Sequence, residues 1–320
     1  MNRTGSHSVE IAALRHAVPY LALFRGATFV VKLGGSAVAD PRAVASVVEQ
    51  VATLHHLGIR VVLVHGGGPQ ATALAGRLGH EVRQVAGRRV TDAETLSIVT
   101  LALNGEVATR LLAACRAASL PAVAVSGVAA GLVEARRRPP VAVAGEAAPV
   151  DYGFVGDISA TDPRLLLHLL DGGYVPLVSP LAADAGGQVL NLNADGVAAS
   201  LAVALRSEKL LFVIEPAGLL DDPRDPGSLV SYVDRAGLER RIEAGSIAGG
   251  MLPKAAAIRA ALDGGVPRAH LISWRSPDSL LWEVFSNEGA GTLVVADLAA
   301  LSAEERATTT PVPAPGGSDR

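Results

Sequence analysis

Stretches typical of buried strands alternate with helical patterns along most of the chain. Continuous apolar runs predict strands at 28–33, 59–64, 121–125, 174–179 and 209–214, with closing strands at 270–273 and 292–296. Apolar residues spaced three or four apart predict helices at 8–25, 41–57, 70–78, 92–120, 194–205 and 251–263. Because the strands are uniformly apolar, both faces of their sheet are expected to be covered. The pattern therefore predicts an α/β fold with a mostly parallel central sheet.

Three segments depart from this alternation. Pro19 interrupts the first helix and predicts a kink or two shorter helices there. Residues 131–157 hold an Arg-rich run, a Pro-Pro turn and short alternating stretches, which predict a hairpin that covers a site. The Thr-, Pro- and Gly-rich residues 299–320 predict a disordered tail.

Composition excludes several classes of protein. The chain has 28 Lys plus Arg against 31 Asp plus Glu, a net charge of -3, and 3% aromatic residues. A broad nucleic-acid surface and base-stacking platforms are therefore not expected. The single Cys115 excludes an internal disulfide framework and a multi-cysteine zinc site, and is expected to be a buried helical residue. Because no long apolar run lacks a charge and the first residues lack a signal-peptide pattern, we expect a cytoplasmic protein without a membrane span.

Lysine is scarce in a chain rich in arginine. Three lysines, Lys32, Lys209 and Lys254, stand against 25 arginines. Where any surface cation suffices, a composition this rich in Ala, Gly, Val and Arg favours arginine. The remaining lysines are therefore candidates for positions that need a compact ammonium group.

Two glycine clusters follow predicted strands. They are Gly34-Gly35, directly after Lys32-Leu33, and Gly66-Gly67-Gly68, directly after His65. Glycines there allow the backbone to approach an anion, and the following helix presents free N–H groups. Neither cluster fits the P-loop or the dinucleotide pattern. A hydrolase oxyanion hole would need a GxSxG elbow, which the chain lacks.

Four charged residues are further candidates for the site. Lys32 ends a buried strand and Lys254 lies in the first turn of a predicted helix, where a cation opposes the helix dipole. Asp195 begins another helix, as a carboxylate that orients the lysines or as a helix cap. Arg89 is a carboxylate clamp or a surface charge. The histidines lie at no metal-ligand spacing, so no protein-bound metal is expected.

Anion-binding glycines, two lysines, an organising carboxylate and no evident base together indicate phosphoryl transfer to a carboxylate. An alcohol acceptor must lose a proton and usually needs a base, whereas a carboxylate is already ionised at neutral pH. The remaining obstacle is repulsion between two anions, which ammonium and N–H groups relieve.

The chain resembles the N-acetylglutamate kinase family of the amino acid kinase superfamily. The resemblance lies in PYLALFRGATFVVKLGGSA, VVLVHGGGPQ, GRRVTDAET, VDYGFVGD, NLNADGVAASLA, GGMLPKAAA and LLWEVFSNEGAGT, in the family's order. It implies an open three-layer αβα sandwich with an N-terminal helical extension at 1–26, an amino-acid lobe at 27–183 and an ATP lobe at 184–298. The implied reaction makes N-acetyl-L-glutamyl 5-phosphate from N-acetyl-L-glutamate and ATP, for arginine biosynthesis.

The resemblance also implies site residues. Lys32 and Lys254 stabilise the transferring phosphoryl group, and Asp195 holds them in place. The implied remainder is phosphate and carboxylate binding by Gly34, Gly35, Gly67 and Gly68, α-carboxylate binding by Arg89 and Asn191, and nucleotide contacts at Lys32, Gly35, Glu215, Gly250 and Lys254. Mg²⁺ is carried mainly by the nucleotide phosphates. The N-terminal helix is similar to that of arginine-inhibited members, which implies a homo-oligomer, a dimer or a hexamer, and feedback inhibition.

The chain departs from the family pattern at four places. In the helix after RVTD, Ala108-Thr109 stands where Asn-Lys is common. Ser126–Ala130 replaces SGKDG, Val213–Leu220 carries Glu215 in place of Asp, and Trp274 and Asp278 are new in the stretch before LLWE. These departures leave two alternatives open: a kinase of the same fold that acts on another N-blocked or carrier-linked carboxylate, and a non-catalytic amino-acid sensor.

Overall fold

The computed structural model describes residues 15, 17–143, 145–222, 224–225, 227–286 and 289–300. Residues 17–24 form helix α1, which continues through Pro19. Residues 8–14 and 16 of that predicted helix, and residues 301–320 of the predicted tail, lie outside the described residues. At the start of the predicted tail, Leu298–Ala300 form one turn of 3₁₀ helix.

The strands of the described residues form one large sheet and two smaller ones. They are β1 (Thr28–Leu33), β2 (Arg60–His65), β3 (Gln84–Val85), β4 (Arg88–Arg89), β5 (Ala122–Ser126), β6 (Val133–Arg137), β7 (Gly156–Thr161), β8 (Val175–Ser179), β9 (Leu181–Ala183), β10 (Val189–Asn191), β11 (Lys209–Ile214), β12 (Tyr232–Asp234), β13 (Arg268–Ser273) and β14 (Thr292–Val295). The large sheet has eight strands in the order β12-β14-β13-β11-β1-β2-β8-β5. Its neighbours are parallel except for β13 and β14. The predicted α/β class with a mostly parallel sheet is confirmed.

Helices cover both faces of this sheet. They are α2 (Gly35–Ala39), α3 (Pro41–His56), α4 (Gly68–Arg77), α5 (Ala93–Thr100), α6 (Ala108–Ala117), α7 (Arg164–Asp171), α8 (Ala194–Ala204), α9 (Arg235–Glu243), α10 (Met251–Asp263) and α11 (Ser279–Phe285). Of these, α2, α7, α9 and α11 were not predicted.

The strand residues alternate between two cores, as a period of two requires. On β1, Val30 packs into the core that contains α7, α8 and α10, whereas Phe29 and Val31 pack into the core formed with α3, α6 and α11. The result is the three-layer sandwich that the resemblance implied. The same alternation turns Lys32 to the side of Val30 and therefore toward α8.

The segment predicted as a hairpin belongs to a second sheet. Strands β6 and β7 pair antiparallel, with a register irregularity between Glu134 and Ala135, in a four-stranded sheet of order β10-β9-β6-β7. The short β3-β4 ribbon lies separately. The predicted cover is thus part of a sheet and not an isolated hairpin, because β9 and β10 complete its hydrogen bonding.

A long helical run, Ala93–Ala117, includes a seven-residue π-helical segment at Leu101–Val107. By length and composition this run could cross a membrane. Its residues Ala102, Leu103, Val107 and Leu111 are buried in the protein, as in the core helix of a globular domain. Asp92 caps its start by accepting a hydrogen bond from the Thr95 N–H at 2.7 Å.

Candidate functional site

The carboxyl ends of β1 and β2 open onto a cleft of about 810 Å³. Ligands of parallel α/β sheets bind at this edge, where the loops after the strands meet. Among the residues predicted for the site, the cleft lining includes Lys32, Gly35, Gly67, Gly68, Arg89, Asn191 and Asp195. Residues far apart in the chain are thus brought together by the sheet.

Three charged side chains meet at one end of the cleft. Lys32 Nζ lies 2.5 Å from Asp195 Oδ1, and Lys254 Nζ lies 3.2 Å from Asp195 Oδ2. Lys32 and Asp195 are 4% exposed. Asn193 caps α8, because its Oδ1 accepts hydrogen bonds from the N–H groups of Asp195 and Gly196. Asp195 is therefore not the helix cap, and its carboxylate is directed at the two lysines.

The charges of this triad depend on one another. Burial alone would raise the pKa of Asp195, but the two neighbouring lysines outweigh burial and hold that pKa below its usual range. Burial lowers the pKa of Lys32, and the Asp195 carboxylate opposes that shift. Two lysines share one carboxylate, so the triad has a net positive charge. An anionic ligand beside the ammonium groups would balance that charge.

The glycine loops present backbone N–H groups to the cleft. The Gly34 N–H donates to Val213 O and the Gly66 N–H donates to Leu33 O. The N–H groups of Gly35, Gly67 and Gly68 have no acceptor within the described part of the chain. Gly35 and Gly68 are the first residues of α2 and α4, where the helix dipole favours an anion.

Two of these glycines are required by close packing. A Cβ on Gly35 would lie 2.7 Å from Pro69 Cδ, and a Cβ on Gly67 would lie 2.4 Å from Leu103 Cδ2. Gln70 ties the two loops together, because its side-chain amide donates to Gly35 O at 3.1 Å. The N–H groups are thus held at fixed places by the packing of both loops.

Arg89 also lines the cleft and is partly buried. Its Nη2 donates to Gly68 O at 2.9 Å and to Thr72 Oγ1 at 2.7 Å. Its Nη1 is buried and has no acceptor among the residues that the structure describes. Burial lowers the pKa of the guanidinium. An unpaired buried donor on a fixed guanidinium indicates that an anion binds there.

Asn191 lines the cleft as well. Its Nδ2 lies 3.3 Å from Thr91 Oγ1, which orients the side chain. Arg88 and Arg138 also line the cleft, and sequence reasoning did not select either. The Arg138 Nε donates to Asp157 Oδ1 at 3.0 Å, which fixes that guanidinium beside the site. The signal available in the sequence was the Arg-rich run of the predicted cover.

Four predicted site residues are not part of the cleft lining: Lys254, which reaches the cleft through its contact with Asp195, and Gly34, Gly250 and Glu215. The Gly34 N–H donates a hydrogen bond to Val213 O, so that N–H is not available to an anion. Gly250 lies just before α10, and its carbonyl accepts from Lys254 Nζ at 3.3 Å. Glu215 is exposed and accepts a hydrogen bond from Arg275 Nε at 3.2 Å.

A second cavity, of about 320 Å³, lies between α1, β13 and α11. It is lined in part by Phe24, Lys209, His270 and Glu283. His270 Nδ1 lies 2.6 Å from Glu283 Oε1, and Lys209 Nζ lies 3.2 Å from His270 Nε2. Burial lowers the pKa of His270 to about 4, so the imidazole is neutral at pH 7.

The described residues contain no cluster of three or more His, Cys, Asp or Glu side chains arranged for a metal ion. Asp195 is the sole carboxylate among the described cleft-lining residues, and lysines occupy both of its oxygens. A divalent cation would therefore have to enter with an anionic ligand.

The sequence matches known families over most of its length. A profile of the Amino acid kinase family matches residues 27–273. The acetylglutamate kinase of Myxococcus xanthus is 51% identical over 288 residues, which cover 89% of this chain and 94% of that protein. The chloroplastic acetylglutamate kinase of Arabidopsis thaliana is 40% identical, with 90% of this chain and 81% of that protein covered.

Solved structures share the fold. An N-acetylglutamate synthase from Neisseria gonorrhoeae, solved with coenzyme A and N-acetyl-glutamate, has a TM-score of 0.77 and 29% identity over 90% of this chain. The chain spans 63% of that protein's length. The same synthase solved with coenzyme A and L-arginine has a TM-score of 0.75, 27% identity and 90% coverage of this chain, and the chain spans 65% of its length. A carbamate kinase from Giardia lamblia bound to AMP-PNP has a TM-score of 0.61 at 17% identity, covering 85% of this chain and 99% of its own.

Proposed function

Since the chain belongs to the acetylglutamate kinases of the amino acid kinase family, we propose that it transfers the terminal phosphoryl group of ATP to the side-chain carboxylate of N-acetyl-L-glutamate. The product is N-acetyl-L-glutamyl 5-phosphate, an acyl phosphate used in arginine biosynthesis. The proposal rests on the groups that meet at the cleft. They are Lys32 and Lys254 on the Asp195 carboxylate, backbone N–H groups without acceptors among the described residues, and the Arg89 guanidinium, whose Nη1 has no acceptor among those residues.

The balance of charge in the cleft suits two anionic substrates. Lys32, Arg88 and Arg89 line it, with Lys254 beside them, against the single carboxylate of Asp195 among the described lining residues. Arg138 also lines it but is paired with Asp157. That carboxylate is held ionised by lysines and cannot accept a proton at neutral pH. An acceptor that needs no deprotonation, such as a carboxylate, fits a cleft built in this way.

In the proposed reaction, a side-chain carboxylate oxygen of the substrate attacks the γ-phosphorus of ATP. The new O–P bond forms as the bond from phosphorus to the bridging oxygen of ADP breaks, and ADP leaves with that electron pair. Lys32 and Lys254 offset the charge on the transferring group, and Asp195 keeps their ammonium groups in place. The N–H groups of Gly35, Gly67 and Gly68 hold the reacting oxygens.

Arg89 and Asn191 are suited to bind the α-carboxylate of the substrate. The Nη1 of Arg89 has no acceptor among the described residues, and Asn191 offers a side-chain amide that Thr91 orients. These groups fix the amino-acid end, so that the side-chain carboxylate extends toward the lysines. Such positioning is the main contribution that a protein makes to phosphoryl transfer.

ATP enters as its Mg²⁺ complex in this proposal. Both oxygens of Asp195 face lysines, so the ion is carried by the nucleotide phosphates and not by a protein carboxylate. The phosphates lie beside Lys32, Gly35 and Lys254, and Gly250 lies at the start of the same helix as Lys254. Glu215 remains a proposed nucleotide contact, which would require its ion pair with Arg275 to open.

The test of this function is ATP-dependent acyl-phosphate formation, trapped as the hydroxamate with hydroxylamine. We expect hydroxamate with N-acetyl-L-glutamate and MgATP. We expect none with glutamate, because its α-amine carries no acyl group. Folded protein that forms no hydroxamate with N-acetyl-L-glutamate would contradict the proposal. A panel of other N-acylated and carrier-linked acids would then identify the carboxylate that is phosphorylated.

The second cavity supports feedback inhibition by L-arginine. Glu283 presents a buried carboxylate to the cavity, which suits a guanidinium or an ammonium group, and Lys209 presents a cation, which suits a carboxylate. We expect L-arginine to inhibit the enzyme and E283Q to weaken that inhibition. Wild-type activity that is unchanged by millimolar L-arginine would contradict this assignment.

The assembly is proposed to be a homo-oligomer in the cytoplasm, a dimer or a hexamer formed through α1. Val18 and Leu23 on α1 are 52% and 66% exposed, which suits a helix that packs against a second copy. Light scattering of the purified chain tests this, with L23D expected to reduce the oligomer if α1 forms the contact. An L23D oligomer equal in size to the wild type would place the contact elsewhere.

A further inference from the structure

His65 is a fully buried histidine that the reaction described above does not use. It is the last residue of β2 and directly precedes the glycines of the loop, but it is 0% exposed. Its Nδ1 lies 3.1 Å from Gly66 O, and its Nε2 has no partner among the described residues. Within the described part of the chain, the side chain therefore has one polar contact, and that contact is with the loop.

The contact fixes which nitrogen carries the proton. With hydrogen on Nδ1, the ring donates to Gly66 O and leaves a bare Nε2 lone pair. With hydrogen on Nε2, the Nδ1 lone pair would face the carbonyl lone pairs at 3.1 Å, and a buried N–H would have no acceptor. An unmade donor and a repulsive contact together cost more than one unpaired lone pair. Nδ1–H is therefore the tautomer.

The same contact sets the direction of the next N–H group. The Gly66 C=O and the Gly67 N–H belong to one planar trans peptide and point in opposite directions. Because His65 holds the carbonyl toward the interior, the Gly67 N–H points away from the interior. Gly67 lines the cleft, and its N–H has no acceptor among the described residues.

We propose that His65 is a positioning residue, which holds the Gly66–Gly67 peptide so that the Gly67 N–H faces the reacting carboxylate and phosphoryl oxygens. The proposal rests on the phosphoryl transfer proposed above. A peptide between two glycines rotates more freely than any other. A donor oriented before the substrate arrives is worth more than one that must rotate into place.

Burial suits His65 to this task. It lowers the pKa of the imidazole to about 4, so the ring stays neutral over the range in which a cytoplasmic enzyme works. The Gly66 N–H is held separately by Leu33 O at 3.0 Å, which anchors the peptide before it. The loop is thus fixed on both sides of the Gly66 carbonyl.

Paired substitutions separate this role from simple packing. H65N keeps an N–H donor attached to Cγ, at the position of Nδ1, but leaves a cavity. H65L fills much of the space and has no donor. We expect H65L to lower kcat roughly 10–100-fold with the KM for MgATP changed little, because one oriented donor is lost. H65N is expected to recover part of kcat although its fold is less stable. Equal kcat in H65L and the wild type, or no recovery in H65N, would overturn the proposal.

A second measurement does not depend on activity. The ¹⁵N spectrum of the histidine side chains distinguishes a protonated Nδ1 from a protonated Nε2, and the His65 signals are those missing in H65N. We expect protonated Nδ1 and bare Nε2 from pH 6 to 8. A proton on Nε2 would overturn the positioning role. If the wild type instead forms no hydroxamate while the spectrum shows Nδ1–H, the proposed reaction has failed and the geometry of the loop stands.

Discussion

Lys254 is the more accessible of the two lysines on Asp195, with 20% of its side chain exposed against 6% for Lys32. Removing Lys32 would leave a deeply buried carboxylate with one partner less, which destabilises a fold. Removing Lys254 alters the charge at the cleft and leaves the buried ion pair of Lys32 and Asp195 in place. A substitution of Lys254 can therefore change the rate of phosphoryl transfer with less effect on the stability of the fold than a substitution of Lys32.

We expect K254A to lower kcat roughly 10²–10³-fold, because a cation beside the transferring group is lost. The midpoint of thermal unfolding should change little. K254R is the matched control, since it keeps the charge but places it on a wider, planar group that fits a compact ammonium site poorly. Near-normal kcat in K254A would remove Lys254 from the mechanism.

Arg89 is expected to affect substrate binding and not the phosphoryl step. R89A should raise the KM for N-acetyl-L-glutamate roughly 10–100-fold, the effect of losing hydrogen bonds to a charged group. The KM for MgATP should stay near its wild-type value. R77A, at the exposed end of α4, is the matched control for the loss of one arginine. Steady-state kinetics with each substrate varied would detect the split, and an equal rise in both KM values would contradict it.

Two buried histidines make stability depend on pH. Burial lowers the pKa values of His65 and His270 to about 4, below the value of 6.5 for the unfolded chain. Between those values the unfolded chain binds more protons, so the free energy of unfolding falls as pH decreases. Each histidine contributes at most about 3 kcal/mol to this loss by pH 4. Urea unfolding from pH 7.5 to 5 measures the slope, and H65N should be less steep; an unchanged slope would contradict the assignment.

At the residue scale, the scarcity of lysine and the position of residues at strand and helix ends predicted site residues without knowledge of the packing. Lys32, Lys254 and Asp195 were selected by residue type and by their place at strand and helix ends, and the structure brings their charged groups together. Arg138 was not selected, because nothing in a run of three arginines tells which one faces a cleft. The unavailability of the Gly34 N–H depends on a hydrogen bond to β11, about 180 residues away in the chain.

The π-helical segment matters because it places Leu103 against Gly67. Such segments arise where one extra residue bulges a helix, often near functional sites. Here it brings Leu103 so close that a Cβ on Gly67 would lie 2.4 Å from Leu103 Cδ2. Gly67 has a φ of 175°, which any residue can adopt, so the contact and not the backbone conformation requires glycine.

G67A should therefore destabilise the fold by about 1–3 kcal/mol, the usual cost of overpacking. G68A is the matched control, because a Cβ there meets nothing within 4 Å. Adding L103A to G67A should recover part of the stability if the clash is the cause. Chemical unfolding of the four variants, including L103A alone, completes a double-mutant cycle. Additive effects would show that Leu103 is not responsible.

Helix α11 was not predicted, and it depends on a partner that is distant in the chain. Helix α11 begins after Asp278, which has a φ of 52° and makes no capping hydrogen bond through its side chain. Its first N–H groups are satisfied from α3, where Gln50 Oε1 accepts from Leu280 N at 2.9 Å and from Leu281 N at 3.4 Å. A cap supplied from 230 residues away leaves no local pattern.

At the scale of the whole molecule, the continuous apolar strands were sufficient to predict the parallel sheet and its covered faces. Strand β14 was predicted at 292–296, but its antiparallel pairing with β13 was not, since strand direction depends on connections and not on composition. The predicted boundary between lobes at residues 183 and 184 remains a prediction. The large sheet crosses it, because β1 pairs with β2 on one side and with β11 on the other.

The central place of β1 has a consequence for synthesis on the ribosome. When the first half of the chain has emerged, β1 can pair with β2, but β11 at Lys209–Ile214 has not yet been made. One edge of a largely apolar strand is then open to other chains, which favours aggregation.

A fragment of residues 27–183 should therefore aggregate or bind chaperones, and co-expression of residues 184–320 should restore solubility. Soluble, monomeric fragment would show that the nascent half protects that edge by itself. Otherwise the open edge of β1 can pair with other chains until β11 (Lys209–Ile214) has been synthesised.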